Sequence, residues 1–458
     1  MKDLKNFRYT IGAYWIYPIA FGIGILIGFK VIPGNVVGII YLAMAALLLY
    51  KAATTDTYGF FTYLPFMVFT EIFARAFLLW LPYLTMQYLY IICFALLLIT
   101  GPKNKKAHFG GYILMVLFCS FELINNVHPD KPQIARSILT NSFALLAAVV
   151  WGAFNVLSPV LINKILYNIK IAGVYLAGIV FVAHLQGKID YNSASSSEAS
   201  NGMAPVQLSG YLGTVCVLFF LSIMNKGESK FKILNLVFLG LTAMVMILTF
   251  SRGGLYFIAA TVCLFILYNI KRINEYAKFV FLIPVALIIY SLVVKETDGK
   301  IVERYEQKGS SSRDILVAIG FNIFLRHPFS GVGTSNYNTT IVKENLFYEK
   351  SGAHNEFVRA AAEHGIIGII FHWGFFIALF FNIRSRGQPQ QQFAMYFFVL
   401  FCLITVHNGL KISLQPIILM LAIAIQTLPY RTDPYSEHSE HAAATPAESS
   451  PLPHTVLS

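Results

Sequence analysis

Charge is what this chain has least of. Asp, Glu, Lys and Arg together make up 12% of its 458 residues, about half of the roughly 25% typical of soluble domains. A chain so poor in charge lacks the polar surface that a water-soluble domain presents. Cysteine is also scarce: Cys93, Cys119, Cys216, Cys263 and Cys402 all lie inside apolar stretches, without a CxxC pair. That spacing excludes a disulfide framework, a zinc site and a haem attachment motif. The sequence further lacks a Walker A loop, an HExxH helix, a clustered His and Asp set, and an acidic pair of the DxD style. ATP and metal chemistry are therefore not expected, nor is a cofactor.

Hydrophobicity fills the space that charge leaves. Hydrophobic residues make up 57% of the chain, its mean hydropathy is +0.64, and long apolar runs recur from residue 11 to residue 429. A helix needs about 20 apolar residues to cross the hydrocarbon core. By that measure the expected fold class is an all-α integral membrane protein of about 12–14 transmembrane helices, forming one polytopic domain over residues 1–430. The first run, 11–29, lacks a small-residue cleavage site and reads as a retained span. The formal charge of +12 is concentrated in short loops, a pattern that points to the membrane and away from nucleic acid. Lys2, Lys5 and Arg8, then Lys51, then Lys103, Lys105 and Lys106, then Lys164 and Lys170 occupy alternate gaps. Lys226, Lys230 and Lys232, then Lys271, Arg272 and Lys278, then Arg384 and Arg386 continue the series. Cytoplasmic loops are the basic ones, so both termini are expected in the cytoplasm, with Lys30, Lys131 and Arg136 as exceptions.

Three polar segments differ in kind. Residues 186–205 are rich in Ser and Asn and read as a flexible linker without chemistry. Residues 431–458 have no apolar face to bury, and a disordered cytoplasmic tail is expected. Residues 296–363 form a long outer loop carrying Gly, aromatic, His and charged side chains, unusual for an inert connection. Within it, Ile315, Leu316, Ile319 and Ile323 recur at helical spacing and predict a surface helix over 313–328.

The candidate chemical groups lie on this outer side. Arg252 stands in TFSRGG between two apolar runs, where an unpaired guanidinium is costly and a phosphate would satisfy it. Gly253 and Gly254 let a ligand or another backbone come close. In GAHNEFVRAAAEHGIIGII a helix is expected from about His354, with Glu356, Arg359 and Glu363 sharing one stripe. A first-turn histidine is held neutral by the helix dipole and suits a general base. The commoner explanations are a snorkelling arginine and a capping histidine. Arg136, Arg326, His407 and Lys411 add further positive charge, making an outer vestibule fit for a diphosphate and unfit for a cation channel. Glu71 and Arg75, four residues apart in one apolar run, are expected to pair with each other.

SRGG at 251–254, HPFSGVGTSNY at 327–337 and HNEFVRAAAEHGIIGII at 354–370 resemble the O-antigen ligase and polymerase superfamily, over roughly residues 207–429. The resemblance implies a GT-C-like fold and a metal-independent, inverting glycosyltransferase of lipopolysaccharide or exopolysaccharide assembly. Its donor would be an undecaprenyl-diphosphate-linked glycan. Its acceptor would be a sugar of the lipid A core for a ligase, or another lipid-linked repeat for a polymerase. The setting would be the outer, periplasmic face of a bacterial inner membrane. Carried over by motif, His354 would be the catalytic base and Arg252 a diphosphate clamp, with Arg136 and Arg359 assisting. A transporter or flippase of a lipid-linked glycan or small anion is the alternative, and broken half-repeats would favour it. No internal repeat is seen. The orientation is testable: a phosphatase inserted within 308–312 is expected to be active, and one fused after residue 430 inactive. The reverse pattern would invert the orientation.

Overall fold

The computed structural model describes residues 2–426 apart from 79, 82–83, 102–105, 188, 190, 192–196, 225–231, 273–275, 308–312, 347–350 and 408–412. Lys411 and the expected tail lie outside the described residues. All regular structure among the described residues is helical. In chain order the helices are α1 Lys2–Gly28, α2 Gly34–Ala53, α3 Thr57–Phe77, α4 Thr85–Thr100, α5 Tyr112–Ile124 and α6 Lys131–Phe154. They continue as α7 Pro159–Leu185, α8 Pro205–Met224, α9 Lys232–Leu248, α10 Gly253–Asn269, α11 Phe279–Glu296 and α12 Lys300–Gln307. The last six are α13 Arg313–Arg326, α14 Tyr337–Lys343, α15 Glu356–Gly368, α16 Gly374–Arg384, α17 Gln388–Val406 and α18 Leu414–Ala424. Every apolar run expected to cross the membrane falls on one of these helices. Among the described residues, six continuous segments are long and apolar enough for a full crossing, and seven shorter apolar helices accompany them. The chain is an all-α integral membrane protein.

Close helix packing rests on small residues, as expected where hydrocarbon gives helices no hydrophobic reason to associate. α1 lies along α7, where a Cβ on Gly24 would stand 2.1 Å from the Tyr175 carbonyl oxygen and one on Gly178 would stand 2.4 Å from that of Phe21. α8 meets α10 in the same way, for a Cβ on Gly213 would come within 2.5 Å of the Gly254 Cα. Gly254 therefore serves the approach of another backbone, one of the two uses expected of it. The Glu71–Arg75 pair forms within α3, and Tyr211 of α8 donates to Glu71 Oε2 at 3.4 Å. A charge that would be costly alone is thereby tied to a neighbouring helix.

The stretch that reads as a flexible linker is packed where it is described. Glu198–Ser200 forms a 3-10 turn, Ala199, Ser200 and Met203 are buried, and Asn201 donates to the Ile179 carbonyl at 2.8 Å. Polar composition hid this, because the segment buries its few small and apolar side chains against α7 and α8. α13 confirms the expected helix, with Leu316, Gly320 and Ile323 on its buried side, packed against α15. Gly178→Val is expected to destabilise the fold by about 1–3 kcal/mol through forced separation of α1 and α7. Thermal unfolding in detergent checks this, and Gly178→Ala should cost less.

Candidate active site

Two charged assemblies occupy the end of the bundle that carries α12–α15, and they are built on opposite electrostatic plans. The first is closed upon itself. Arg359 of α15 meets Glu356 at 2.7 Å through Nε, Glu363 at 2.6 Å through Nη1 and Glu122 of α5 at 3.0 Å through Nη2. The helical stripe of Glu356, Arg359 and Glu363 is thus a real ion-pair ladder. The sequence reading missed Glu122, although a carboxylate inside the apolar run FCSFELI was itself a signal that a cation must reach it. Ser142 of α6 donates to Glu122 Oε2 at 2.5 Å. With a carboxylate on each of its three guanidinium nitrogens, Arg359 cross-links α5 and α15, and its charge is already matched by anions of the protein.

This ladder sits beside a break in α15. Gly365 has φ +61° and ψ −146°, a conformation open to glycine at little cost, and the helix resumes through a π-helical turn, Ile369–Trp373. The segment HPFSGVGTSNY fills the break. The amides of Val332 and Gly333 donate to the carbonyls of Ala362 and Glu363 at 3.0 and 2.9 Å, and the Ile366 amide donates to the Pro328 carbonyl at 2.8 Å. A Cβ on Gly331, itself at positive φ, would lie 2.2 Å from the Glu363 carbonyl carbon. Tyr337 starts α14 with its amide 3.3 Å from Glu363 Oε1. The two separate sequence motifs are therefore one backbone joint.

The second assembly gathers like charges. Ser209 of α8 pins the SRGG turn, its hydroxyl donating to the Ser251 carbonyl at 3.2 Å and accepting from the Gly254 amide at 2.9 Å. Arg252, at the N-cap of α10, then reaches α12. Its Nη2 donates to the Arg304 carbonyl at 2.7 Å, and its guanidinium stands 5.5 Å from the centre of the Tyr305 ring. Arg304 and Arg313 complete the group: burial, then the charge of Arg252, lowers the proton affinity of Arg304. For Arg313 the causes are burial and then, among the charges that lower it, Arg304 and Arg252. Three guanidiniums within mutual electrostatic reach in a partly desolvated place form a strong field for an anion.

His354 and His407 border this group. His354 lies outside the first turn of α15, contrary to expectation: Asn355 is the N-cap, accepting from the amides of Phe357 and Val358 at 3.0 and 3.3 Å, and His354 precedes it with φ +50°. The helix begins later because the Asn side chain supplies the capping oxygen. His354 is half-buried, and its proton affinity is lowered by burial first and then by Arg313. The neutral ring therefore arises from desolvation and a neighbouring cation, and no helix dipole is needed. At the end of α17, His407 accepts a hydrogen bond from Arg313 through Nε2, which requires a neutral ring protonated at Nδ1. Burial, followed by Arg313, pushes His407 down to about 4.

Of the residues expected at the site, Arg252 and His354 are joined through Arg313. Arg359 belongs to the closed ladder, and Arg136 is exposed in the second turn of α6. Arg326 bonds Glu344 at 2.8 Å. Arg304 and Arg313 were missed because nothing in IVERYEQKGSSSRD marks which arginines fold back onto α10.

These features define a class: a multi-pass, all-α membrane protein with an arginine- and histidine-lined site at one end of its bundle. Residues 236–372 match the family described as O-Antigen ligase, in the part of the chain whose motifs resemble the O-antigen ligase and polymerase superfamily. The matched stretch holds Arg252, Arg304, Arg313 and His354. No curated protein matches the chain. Arg359→Met is expected to lower stability by about 3–5 kcal/mol, because it leaves three buried carboxylates uncompensated. Unfolding of the purified variant checks this, and wild-type stability would free Arg359 for another role.

Proposed function

We propose that this protein transfers a glycan from undecaprenyl diphosphate to a sugar hydroxyl at the outer face of the bacterial inner membrane. The observation that carries the reading is the meeting of three arginines with a histidine held neutral beside them. Arg252, Arg304 and Arg313 bind the diphosphate and neutralise the charge that grows on it as the glycosidic bond to phosphate breaks. Arginine suits this task because its planar fork matches phosphate oxygens and stays protonated. His354 accepts the proton of the attacking hydroxyl, and a single displacement inverts the anomeric carbon. Arg313 has two effects, since the charge that helps bind the diphosphate also keeps His354 unprotonated. Arginines take the place of a metal here, so the reaction proceeds with chelator present. With the basic loops on the cytoplasmic side, the end of the bundle bearing α12–α15 faces outward. Ligation to a lipid A core sugar and polymerisation of lipid-linked repeats share this chemistry and differ in acceptor.

In a transfer assay with purified protein, undecaprenyl-diphosphate glycan and chelator, His354→Ala is expected to lose about 10²–10⁴-fold in kcat/KM. Arg252→Ala is expected to lose about 10²–10³-fold. The acid limb of the pH profile should fall below the ordinary histidine value of about 6.5, because burial and Arg313 disfavour the imidazolium. Arg313→Gln removes one of those causes and should move the limb to higher pH. Full activity of His354→Ala would overturn the assignment. Product size distinguishes one-step ligation from polymerisation.

A further inference from the structure

The two charged assemblies hold their cations in different ways. Arg359 is held by carboxylates, which match its charge. Arg313, the first residue of α13, is held by a neutral group, for its Nη1 donates to Nε2 of His407. A hydrogen bond to a neutral imidazole fixes the direction of a guanidinium and leaves its charge in place. By sequence His407 counts as one more positive charge of the vestibule; in the fold it is an acceptor.

Arg313 needs such an anchor. It begins a helix, where the positive end of the macrodipole opposes a cation, and the charges of Arg304 and Arg252 also act against it. A long side chain under that repulsion would turn away toward solvent whenever no anion is bound. The other titratable groups whose fields reach the pair are Tyr256 of α10, at Arg313, and His354, at His407. His407 itself stands on a firm base. It caps the C-terminus of α17, its amide donating to the Leu403 carbonyl at 3.1 Å, and its side chain is half-buried. The bond joins residues 94 positions apart and ties α13 to α17. His407 lies beyond the family-matched stretch, which ends at residue 372.

We infer that His407 is a positioning residue of the anion site: as a neutral hydrogen-bond acceptor it aims the Arg313 guanidinium at the anion without cancelling its charge. The assignment rests on the glycan-transfer reading and adds to it a residue that acts through Arg313. The test uses the full chain in phosphatidylcholine nanodiscs, inorganic pyrophosphate as probe and calorimetric titration as readout. Wild type is expected to bind saturably. His407→Gln, whose amide oxygen supplies an acceptor at the reach of Nε2, should bind within about threefold of wild type. His407→Leu, which removes the acceptor, should bind about tenfold more weakly. His407→Glu keeps an acceptor but cancels the charge, and should bind more weakly than His407→Leu. In an Arg313→Gln background, His407→Leu should change the affinity by less than about twofold, because the group it acts on is gone. A residue needed only for folding would give neither this order nor this coupling, and thermal unfolding of each variant checks that the fold is kept. Where His407→Leu does not fold, His407→Ala takes its place. The assignment is overturned by absence of saturable binding in wild type, or by wild-type affinity in His407→Leu or His407→Glu. It is also overturned if His407→Gln binds as weakly as His407→Leu, or if the effect of His407→Leu is undiminished in the Arg313→Gln background. Because binding needs no turnover, the two readings fail separately. The expected order of affinities without transfer from any donor refutes the catalytic reading, and transfer without that order refutes the role of His407.

Discussion

One guanidinium organises the working end of this protein. Arg359 holds three carboxylates from two helices, and two of those carboxylates reach further groups. Glu122 brings α5 and, through Ser142, α6. Glu363 receives the first amide of α14, and its carbonyl closes the joint at the broken turn of α15. In a low-dielectric interior a charge assembly of this kind is favourable only when every member is present, so it behaves as a single unit. α15 is held in place by it, and Asn355 and His354 stand at the end of α15.

The arginine group follows the reverse plan. Around Arg359 negative charge surrounds a cation; around Arg252, Arg304 and Arg313 positive charge accumulates, and the backbone and aromatic contacts of Arg252 fix its direction. A fold that places like charges together in a partly desolvated site incurs an electrostatic cost that a bound anion would relieve. In the proposed reaction the same preorganised cations would stabilise the departing diphosphate without rearrangement. His354 lies in the same field, its proton affinity lowered by burial and then by Arg313.

The sequence by itself determined the class of fold, because period, length and apolarity leave a helix as the only way for each long apolar run to satisfy its backbone in hydrocarbon. It also determined local ion pairs such as Glu71 with Arg75 and Glu356 with Arg359 and Glu363, whose spacing of three or four residues is itself the contact. Arg252 and His354 were legible as candidates because a charged or titratable group next to glycines at a span boundary is conspicuous. Tertiary structure alone decided which charges meet across the chain. It brought Glu122 to Arg359, and Arg304 and Arg313 to Arg252. It also engaged Arg359 with a third carboxylate from another helix and moved His354 from the first helical turn to the residue before the cap. The physical reason is that these contacts join residues far apart in the chain, through a break at Gly365 and a folded-back loop, and no periodicity along the sequence encodes such distances.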